Sequence, residues 1–209
     1  MCMKCKKKRF EAQGIMMNST KKGGSPMKHA LVIGGTGMLA KVSLYLAEND
    51  YHVSVVGRNY EKMQMLINKS INPSNFSAVM VDYRNRVVFE KALQEQVTKY
   101  GPFHYVVAWI HSRGKDELSA LFRSNIQNSG WELLHIIGSR SDSQGIRNQL
   151  DLPDCCVYRQ VQLGFIEENN QSRWLTNMEI ANGIISVIKE GTAKYLLIGQ
   201  LDGVRPDEK

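Results

Sequence analysis

Near the start of the chain, an apolar run is followed at once by a cluster of glycines, a combination that could hold a phosphate group. Residues 30–33 are Ala-Leu-Val-Ile, residues 34–37 are Gly-Gly-Thr-Gly, and residues 38–49 continue in a helix-like pattern. Glycine lets the backbone turn sharply and approach a phosphate closely. The helix N-terminus that follows offers N–H groups and the positive end of its dipole. The pattern predicts that a dinucleotide pyrophosphate is bound by Gly34, Gly35, Thr36, Gly37, Met38 and Leu39.

The residues that follow the second predicted strand select between the two nicotinamide cofactors. NAD sites place an Asp or Glu at this position to hold the ribose 2′-hydroxyl group, whereas this chain has Gly57, Arg58 and Asn59. A guanidinium group can pair with a 2′-phosphate through two hydrogen bonds. Arg58 and Asn59 are therefore predicted to contact the cofactor, and NADP is favoured over NAD. The alternative is that Arg58 is a solvated side chain at the start of a helix.

Asp82 is a further candidate for a cofactor contact, because it closes the third predicted strand. The carboxyl ends of the strands border the adenine side of such a crevice, so Asp82 could accept a hydrogen bond from the adenine amino group. The alternative is that its carboxylate caps the helix that is predicted to begin near Arg84.

The elements that must position these residues alternate between strands and helices from residue 28 onward. Near-continuous apolar strands separated by amphipathic helices predict a parallel sheet that is covered on both faces. With right-handed crossovers, this order predicts a three-layer doubly wound Rossmann fold with a mainly parallel sheet of about seven strands. The predicted strands are 29–34, 52–57, 76–82, 104–110, 131–138, about 155–166 and 194–199.

The sixth predicted strand differs from the others, because polar and apolar residues alternate along it from Tyr158 to Ile166. Alternation predicts a half-exposed strand with Tyr158, Gln160 and Gln162 on one face. This polar face could border the nicotinamide end of the crevice or form the edge of a dimer. The predicted helices are 37–49, 59–69, 85–99, about 115–128 and one with a capping box of Thr176 and Glu179.

The positive charge of the chain is concentrated at its beginning. Seven of the 27 basic residues and one of the 20 acidic residues lie in positions 1–26, so the rest of the chain is close to neutral. The prediction is a disordered basic extension at 1–26 and a single domain at 27–209. A general basic face for nucleic acid is therefore not expected. Salt-sensitive nucleic-acid binding by the extension is a minor alternative.

Composition also bears on the compartment and on metal binding. No run approaches the roughly 20 apolar residues that cross a bilayer, and the beginning of the chain has no apolar segment of a secretory signal. The chain is therefore expected to be cytoplasmic, without a membrane partner. Cys2 and Cys5 form a C-x-x-C pair without a second pair to complete a zinc site, and no metal is predicted.

The glycine turn, Arg58 and Asp82 together resemble the short-chain dehydrogenase/reductase superfamily. Gly34-x-x-Gly37-x-x-Ala40 matches the turn of that family, and the resemblance covers residues 28–140 best. It implies a single Rossmann domain, hydride transfer between NAD(P) and a small carbonyl or alcohol, and a homo-oligomer, since such proteins are often dimers or tetramers.

The same resemblance places catalytic candidates after strands four to six. Ser139 stands at the position of the family serine, but the next tyrosine is Tyr158, and Gln162 replaces the lysine of the Tyr-x-x-x-Lys motif. His111 follows strand four and could relay a proton. The alternatives are a turn serine, a half-buried strand tyrosine and a loop histidine. Arg113, Arg140 and Arg159 could anchor an acidic substrate, or they are solvated.

Two functions follow from these residues. The first is an NADP-dependent oxidoreductase of the short-chain type with a non-standard active site, in which Ser139, Tyr158 and His111 contact an unknown small substrate. The second is a non-catalytic NADP(H)-binding sensor or interaction protein, which keeps the glycine turn and Arg58 but has lost the Tyr/Lys pair.

Overall fold

The computed structural model describes residues 27–110, 115–125, 130–169 and 171–207. Strands and helices alternate along most of this part of the chain. The strands are β1 Lys28–Ile33, β2 Tyr51–Gly57, β3 Phe76–Met80, β4 Phe103–Trp109, β5 Trp131–Ile137, β6 Cys156–Leu163, β7 Phe165–Glu168, β8 Gln171–Trp174 and β9 Tyr195–Ile198. The helices are α1 Ala40–Glu48, α2 Tyr60–Asn68, α3 Arg86–Tyr100, α4 Lys115–Asn125, α5 Ser143–Gln149 and α6 Asn177–Glu190.

Seven of these strands form one sheet in the order β3-β2-β1-β4-β5-β6-β9, and every neighbouring pair is parallel. The chain crosses from β3 at one edge to β4 beside β1, so the direction of winding reverses between β1 and β4. Ligands of open parallel sheets bind at this reversal, outside the carboxyl ends of the strands. The predicted doubly wound fold with seven mainly parallel strands is confirmed.

The sheet separates two apolar cores. On one face it packs against α1, α2 and α6, with Leu46, Met63 and Ile184 buried among the strand side chains. On the other face it packs against α3 and α4, with Phe89 and Leu121 buried in the same way. Because both faces are covered, the central strands are apolar along nearly their whole length, as expected for a parallel sheet.

The prediction for the sixth strand was wrong in two respects. The strand ends at Leu163, and after Gly164 the chain enters a separate hairpin of β7 and β8. A side chain at Gly164 would collide with the backbone carbonyl of Gln200, so the close approach of these two segments requires glycine. In addition, β6 is not half-exposed: it lies between β5 and β9, and all residues from Tyr158 to Leu163 are buried.

Helix α6 is the clearest case of local sequence determining a boundary. The Thr176 hydroxyl accepts a hydrogen bond from the Glu179 N–H, and the Glu179 carboxylate accepts one from the Thr176 N–H, so the predicted capping box is present. The helix ends at Glu190, and its C-cap residue Gly191 has a φ of +67°. Helix α5 was not predicted, because its seven residues include Gly145 and show little apolar periodicity.

Candidate functional site

The glycine turn lies between the end of β1 and the start of α1. Gly34 has a φ of +82°, a conformation that favours glycine, and its N–H donates to the Val56 carbonyl at 3.2 Å. The turn then closes through a hydrogen bond from the Gly37 N–H to the Gly34 carbonyl at 3.4 Å. A Cβ at Gly34 would lie 3.5 Å from the Cβ of Trp109, so β4 approaches this turn closely.

Gly35 has a different role from its neighbours, because it packs into the core. A Cβ there would lie 2.7 Å from the Ser43 Oγ and 2.8 Å from the Val55 Cγ1, so no larger residue fits. By contrast, a Cβ at Gly37 would meet its nearest neighbour at 4.0 Å, and Gly37 faces the open cleft. Gly35 therefore holds α1 against the sheet, while Gly37 leaves space for a ligand.

The N-terminus of α1 has no side-chain cap among the described residues. Leu39 is the N-cap residue of α1, and no side chain accepts a hydrogen bond there. Other helices of the described chain are capped at this position by Asn59, Asn85, Asp142 and Thr176. The Ala40 N–H donates to the Gly37 carbonyl at 3.0 Å. The N–H groups that follow it in the first turn have no partner within the helix, so they can receive an anion at the glycine turn.

A cleft of about 620 Å³ opens beside this turn, at the reversal point between β1 and β4. Its volume is in the range of small-molecule and cofactor sites. The residues that line it come from the ends of β1 to β4 and from the start of α2. They are Gly34, Thr36, Gly37, Met38, Val56, Gly57, Arg58, Asn59, Lys62, Val81, Tyr83 and Trp109.

Most of the predicted cofactor contacts line the cleft, and three do not. Gly34, Thr36, Gly37, Met38, Arg58 and Asn59 line it. Gly35 and Leu39 are buried and do not line it, and Asp82 does not line it either. Asn59 also caps α2, since its side-chain oxygen accepts a hydrogen bond from the Lys62 N–H at 2.8 Å.

Asp82 is held by two arginines. Arg84 donates to the Asp82 carboxylate from its backbone N–H at 3.0 Å and from its guanidinium at 2.8 Å, while Arg58 makes one contact at 3.2 Å. The Arg84 hydrogen bonds hold the pKa of the Asp82 carboxyl well below its usual range. Asp82 does not cap α3, because Asn85 occupies the N-cap position. The contact of Asp82 with adenine stays a prediction.

Ser139 follows β5 in a turn that is supported by the side chain of Gln162. The Gln162 amide donates to the carbonyls of Gly138 at 3.2 Å and of Ser141 at 2.9 Å, and it accepts from the Tyr195 hydroxyl at 2.8 Å. Gln162 is therefore a buried group that organises the backbone of this turn. Within the described part of the chain, the Ser139 hydroxyl has no hydrogen-bond partner, and Ser139 lines a second pocket.

The structure does not bring Tyr158 to the cleft. Its side chain is buried in the core beneath α3 and α4, and its hydroxyl shares a hydrogen bond of 2.9 Å with the Nδ1 atom of His135. Burial raises the pKa of the Tyr158 hydroxyl and outweighs the opposite effects of the Gln160 side chain and the Arg147 guanidinium. Burial also lowers the pKa of His135 to about 4. Because Tyr158 pairs with Leu133, well before the end of β5, it is too deep for the proton transfer that was predicted.

The remaining residues that the sequence suggested for catalysis or substrate binding lie in different environments. His111 and Arg113 lie outside the described residues, so the predicted proton relay at His111 stays a prediction. Arg159 is buried and pairs with Glu132 at 2.5 Å and with the Tyr105 hydroxyl at 2.9 Å, so it is not a solvated or substrate-binding arginine. Arg140 pairs with Asp207 at 2.9 Å.

Sequence reasoning missed six residues that line the cleft: Val56, Gly57, Lys62, Val81, Tyr83 and Trp109. Lys62 lies three positions after Asn59, in the first turn of α2, and this spacing could have placed it beside Arg58. Val81 and Tyr83 flank Asp82 at the end of β3. Trp109 is the last residue of β4.

No protein-family model matches this sequence, and no curated protein matches it. Many solved structures match the fold. A short-chain dehydrogenase/reductase (glucose/ribitol dehydrogenase) from Brucella melitensis has a TM-score of 0.63 and 10% identity, covering 83% of this chain and 95% of its own. A variant of actinorhodin polyketide ketoreductase with NADPH has a TM-score of 0.63 and 12% identity, covering 83% and 96%.

A third match is ElxO with NADP bound, which has a TM-score of 0.59 and 15% identity and covers 83% of this chain and 97% of its own. Among the described residues, no helix combines the length and the apolar character that a membrane span requires. The parallel order of the seven-stranded sheet and these structural matches agree with each other. The chain therefore has the doubly wound Rossmann fold of the short-chain dehydrogenases/reductases.

Proposed function

We propose that this chain is a divergent short-chain dehydrogenase/reductase that binds NADP(H) and acts as an oxidoreductase with a non-standard active site. The observation that carries the proposal is the uncapped N-terminus of α1 behind a glycine turn, in the same cleft as Arg58. The turn suits a pyrophosphate, and Arg58 suits a 2′-phosphate. The NADP in ElxO and the NADPH in the actinorhodin ketoreductase support this choice of cofactor.

Arg58 can turn to a phosphate at little cost. Its guanidinium is largely exposed, and its one contact with Asp82 is 3.2 Å long. Arg84 holds both oxygens of the Asp82 carboxylate, so the carboxylate keeps its partner when Arg58 leaves. Lys62 lines the same cleft one helical turn from Asn59 and adds a second positive charge near the proposed phosphate. We therefore assign the 2′-phosphate to Arg58, with support from Lys62.

The residues of the chain would bind and orient the reactants. Bound nicotinamide supplies or accepts a hydride, which is the redox chemistry of this cofactor. Trp109 lines both the cleft and the pocket that contains Ser139, so the two adjoin, and the Ser139 hydroxyl can donate a hydrogen bond to a carbonyl. Gln162 fixes the turn that presents Ser139. We propose His111 as the proton relay, whereas the buried Tyr158 has no catalytic role.

Titration calorimetry with NADPH and NADH tests the cofactor assignment. For Arg58→Ala, we expect NADPH to bind about 10- to 100-fold more weakly, since a hydrogen bond to a charged group contributes about 1.5–3 kcal/mol, while NADH affinity changes little. Arg84→Ala is the matched control, because it also removes a partner of Asp82 but lies outside the cleft lining. Equal losses for both nucleotides in Arg58→Ala would refute the assignment.

A second function, a non-catalytic NADP(H)-binding sensor or interaction protein, is favoured by a separate observation. Residues 138–155, between β5 and β6, contain neither tyrosine nor lysine, and Tyr158 is buried. Absorbance measurements of NADPH oxidation across a panel of small carbonyl compounds separate the two functions. Steady turnover would rule out the sensor, whereas tight NADPH binding without any turnover would rule out the oxidoreductase.

Three further assignments accompany this proposal. We propose a homo-oligomer, which sedimentation velocity can test, and a cytoplasmic location, which microscopy of a tagged chain in its native host can test. We also propose that residues 27–209 form one domain behind a basic extension. Limited proteolysis should then remove residues 1–26 and leave the remainder intact.

A further inference from the structure

An apolar pocket of about 230 Å³ lies beside the cleft, on the far side of Trp109. It is formed at the carboxyl ends of β4, β5 and β6, under the β7–β8 hairpin and the start of α6. The residues that line it are Trp109, Gly138, Ser139, Leu163, Gly164, Trp174, Leu175 and Ile180. An apolar cavity of about 150 Å³ is known to accept benzene, so this pocket is large enough for one ring with a small substituent.

Charge is absent from the described lining of this pocket. The nearby arginines are engaged elsewhere: Arg140 pairs with Asp207, and Arg173 pairs with Glu168 and Glu179. An ionised ligand would lose its hydration here without gaining a partner, which is costly. The pocket therefore selects an uncharged ligand, in contrast to the acidic substrate that the arginines of the sequence suggested.

Two tryptophans give the pocket its shape. Trp109 extends from the glycine turn to the Ser139 turn, since a Cβ at Gly34 would lie 3.6 Å from its Cδ1 and a Cβ at Gly138 would lie 4.0 Å from its Cη2. Trp174 lies at the end of β8, 43% exposed, with its ring edge-on to Phe165 at 6.4 Å between centroids. Aromatic walls favour a planar ring through stacked or edge-on contacts.

The wall that carries Trp174 is held in place before any ligand arrives. Phe165 exchanges two backbone hydrogen bonds with Gln200, at 3.0 and 2.8 Å. On the other strand of the hairpin, Arg173 reaches the Glu179 carboxylate at 2.9 Å and so ties β8 to the cap of α6. A preformed pocket reduces the ordering cost of binding.

We propose that this pocket binds an uncharged compound with a single planar ring, whose polar substituent accepts a hydrogen bond from the Ser139 hydroxyl. Ser139 carries the one side-chain hydroxyl of the described lining. The identification of this compound as the substrate class rests on the proposed oxidoreductase function. Binding of the ring does not rest on it, because Trp109 is the one described lining residue that the pocket shares with the nucleotide cleft.

Benzyl alcohol and benzoate are the probes for the test, because they share a ring and differ in charge. Saturation-transfer NMR and titration of tryptophan fluorescence, without nucleotide, should show benzyl alcohol binding at least about tenfold more tightly than benzoate. In Gly138→Val, where an added Cβ has its nearest neighbours at 4.0 Å, the new methyl groups fill the pocket and benzyl alcohol binding should be lost. Gly130→Val is the matched control, since a Cβ there meets nothing within 4 Å.

Equal binding of benzoate and benzyl alcohol, or loss of binding in both glycine variants, would overturn the proposal. Circular dichroism of each variant shows whether it folds, and the comparison of the two probes on the unaltered chain needs no variant. If the chain binds NADPH but does not bind benzyl alcohol, whether or not NADPH is present, the ring site is refuted and the proposed function is not. Benzyl alcohol binding without NADPH binding would refute the proposed function and leave the ring site standing.

Discussion

The two halves of the sheet end in different kinds of surface. At the ends of β1 and β2, polar groups are left facing the cleft: the N–H groups of α1 have no side-chain cap, and Arg58 is largely exposed. At β5 and β6, polar side chains are turned inward and paired, as Gln162 is with two backbone carbonyls and Tyr158 with His135. We propose that the first half holds an anion, whereas the buried polar residues of the second half stabilise the fold.

This difference separates binding from chemistry. A phosphate site needs backbone N–H groups and a cation, and the first half supplies both. Proton transfer needs a group with a suitable pKa within reach of the substrate. In the second half, burial raises the pKa of Tyr158 and lowers that of His135 to about 4. Neither residue lines the cleft. The following predictions test this contrast.

The largest effect is expected at the glycine turn. Gly35→Val should destabilise the fold by about 3 kcal/mol or more, because its side chain would overlap Ser43 and Val55. Gly37→Val should leave the thermal unfolding midpoint nearly unchanged but weaken NADPH binding at least about tenfold, because its side chain enters the cleft. Thermal unfolding followed by circular dichroism, with NADPH titration, measures both. If Gly37→Val unfolded as readily as Gly35→Val, the division of roles would be wrong.

The next largest effect is expected when the pH is lowered, because buried histidines make the stability of the fold depend on pH. Burial lowers the pKa of His29 to about 3 and that of His135 to about 4, while unfolded histidine titrates near 6.5. Below pH 6.5 the unfolded chain therefore binds more protons than the folded chain. The stability that the neutral, buried histidines contribute is complete above that pH and is lost as the pH falls toward 4. The loss should be on the order of a few kcal/mol. Urea unfolding between pH 8 and pH 4 measures it.

The His135–Tyr158 pair provides a control for this acid dependence. The double variant His135→Phe with Tyr158→Phe removes both partners and leaves neither unsatisfied. Its stability should fall less steeply between pH 6.5 and pH 4 than that of the unaltered chain. An identical slope in both proteins would show that His135 is not neutral in the folded state.

The smallest effect is expected for Tyr158→Phe. Loss of the hydroxyl removes the hydrogen bond to His135 and should lower the free energy of unfolding by about 1 kcal/mol. NADPH affinity, and any turnover rate that the unaltered chain shows, should stay within about twofold. A fall in turnover of two or more orders of magnitude with unchanged stability would return Tyr158 to the active site.

The parts of the fold that follow local patterns could be predicted. The alternation of apolar strands and helices was sufficient to predict the parallel sheet. The capping box of Thr176 and Glu179 was sufficient to predict the start of α6. These signals lie within a few residues of the element that they determine. The glycine turn and Arg58 could be placed at one cleft for the same reason, since the carboxyl ends of parallel strands share an edge.

The parts that depend on distant partners could not be predicted. Along β6, polar residues alternate with apolar ones and read as a half-exposed strand, yet they are buried. Their partners lie far along the chain: Arg159 pairs with Glu132, Gln160 donates to the Ser143 carbonyl, and Gln162 accepts from Tyr195. Buried polar groups require such partners, but no local pattern shows where they are. The burial of Tyr158 could not be predicted for the same reason, since its partner His135 lies on another strand.

A crystal structure of the full chain with NADPH is the measurement that tests the central claim most directly. The account predicts the pyrophosphate at the N-terminus of α1, within hydrogen-bond distance of the backbone at the glycine turn. It also predicts the 2′-phosphate on the guanidinium of Arg58, with Asp82 still held by Arg84. A nucleotide bound elsewhere, or a 2′-phosphate in solvent with Arg58 still on Asp82, would contradict it.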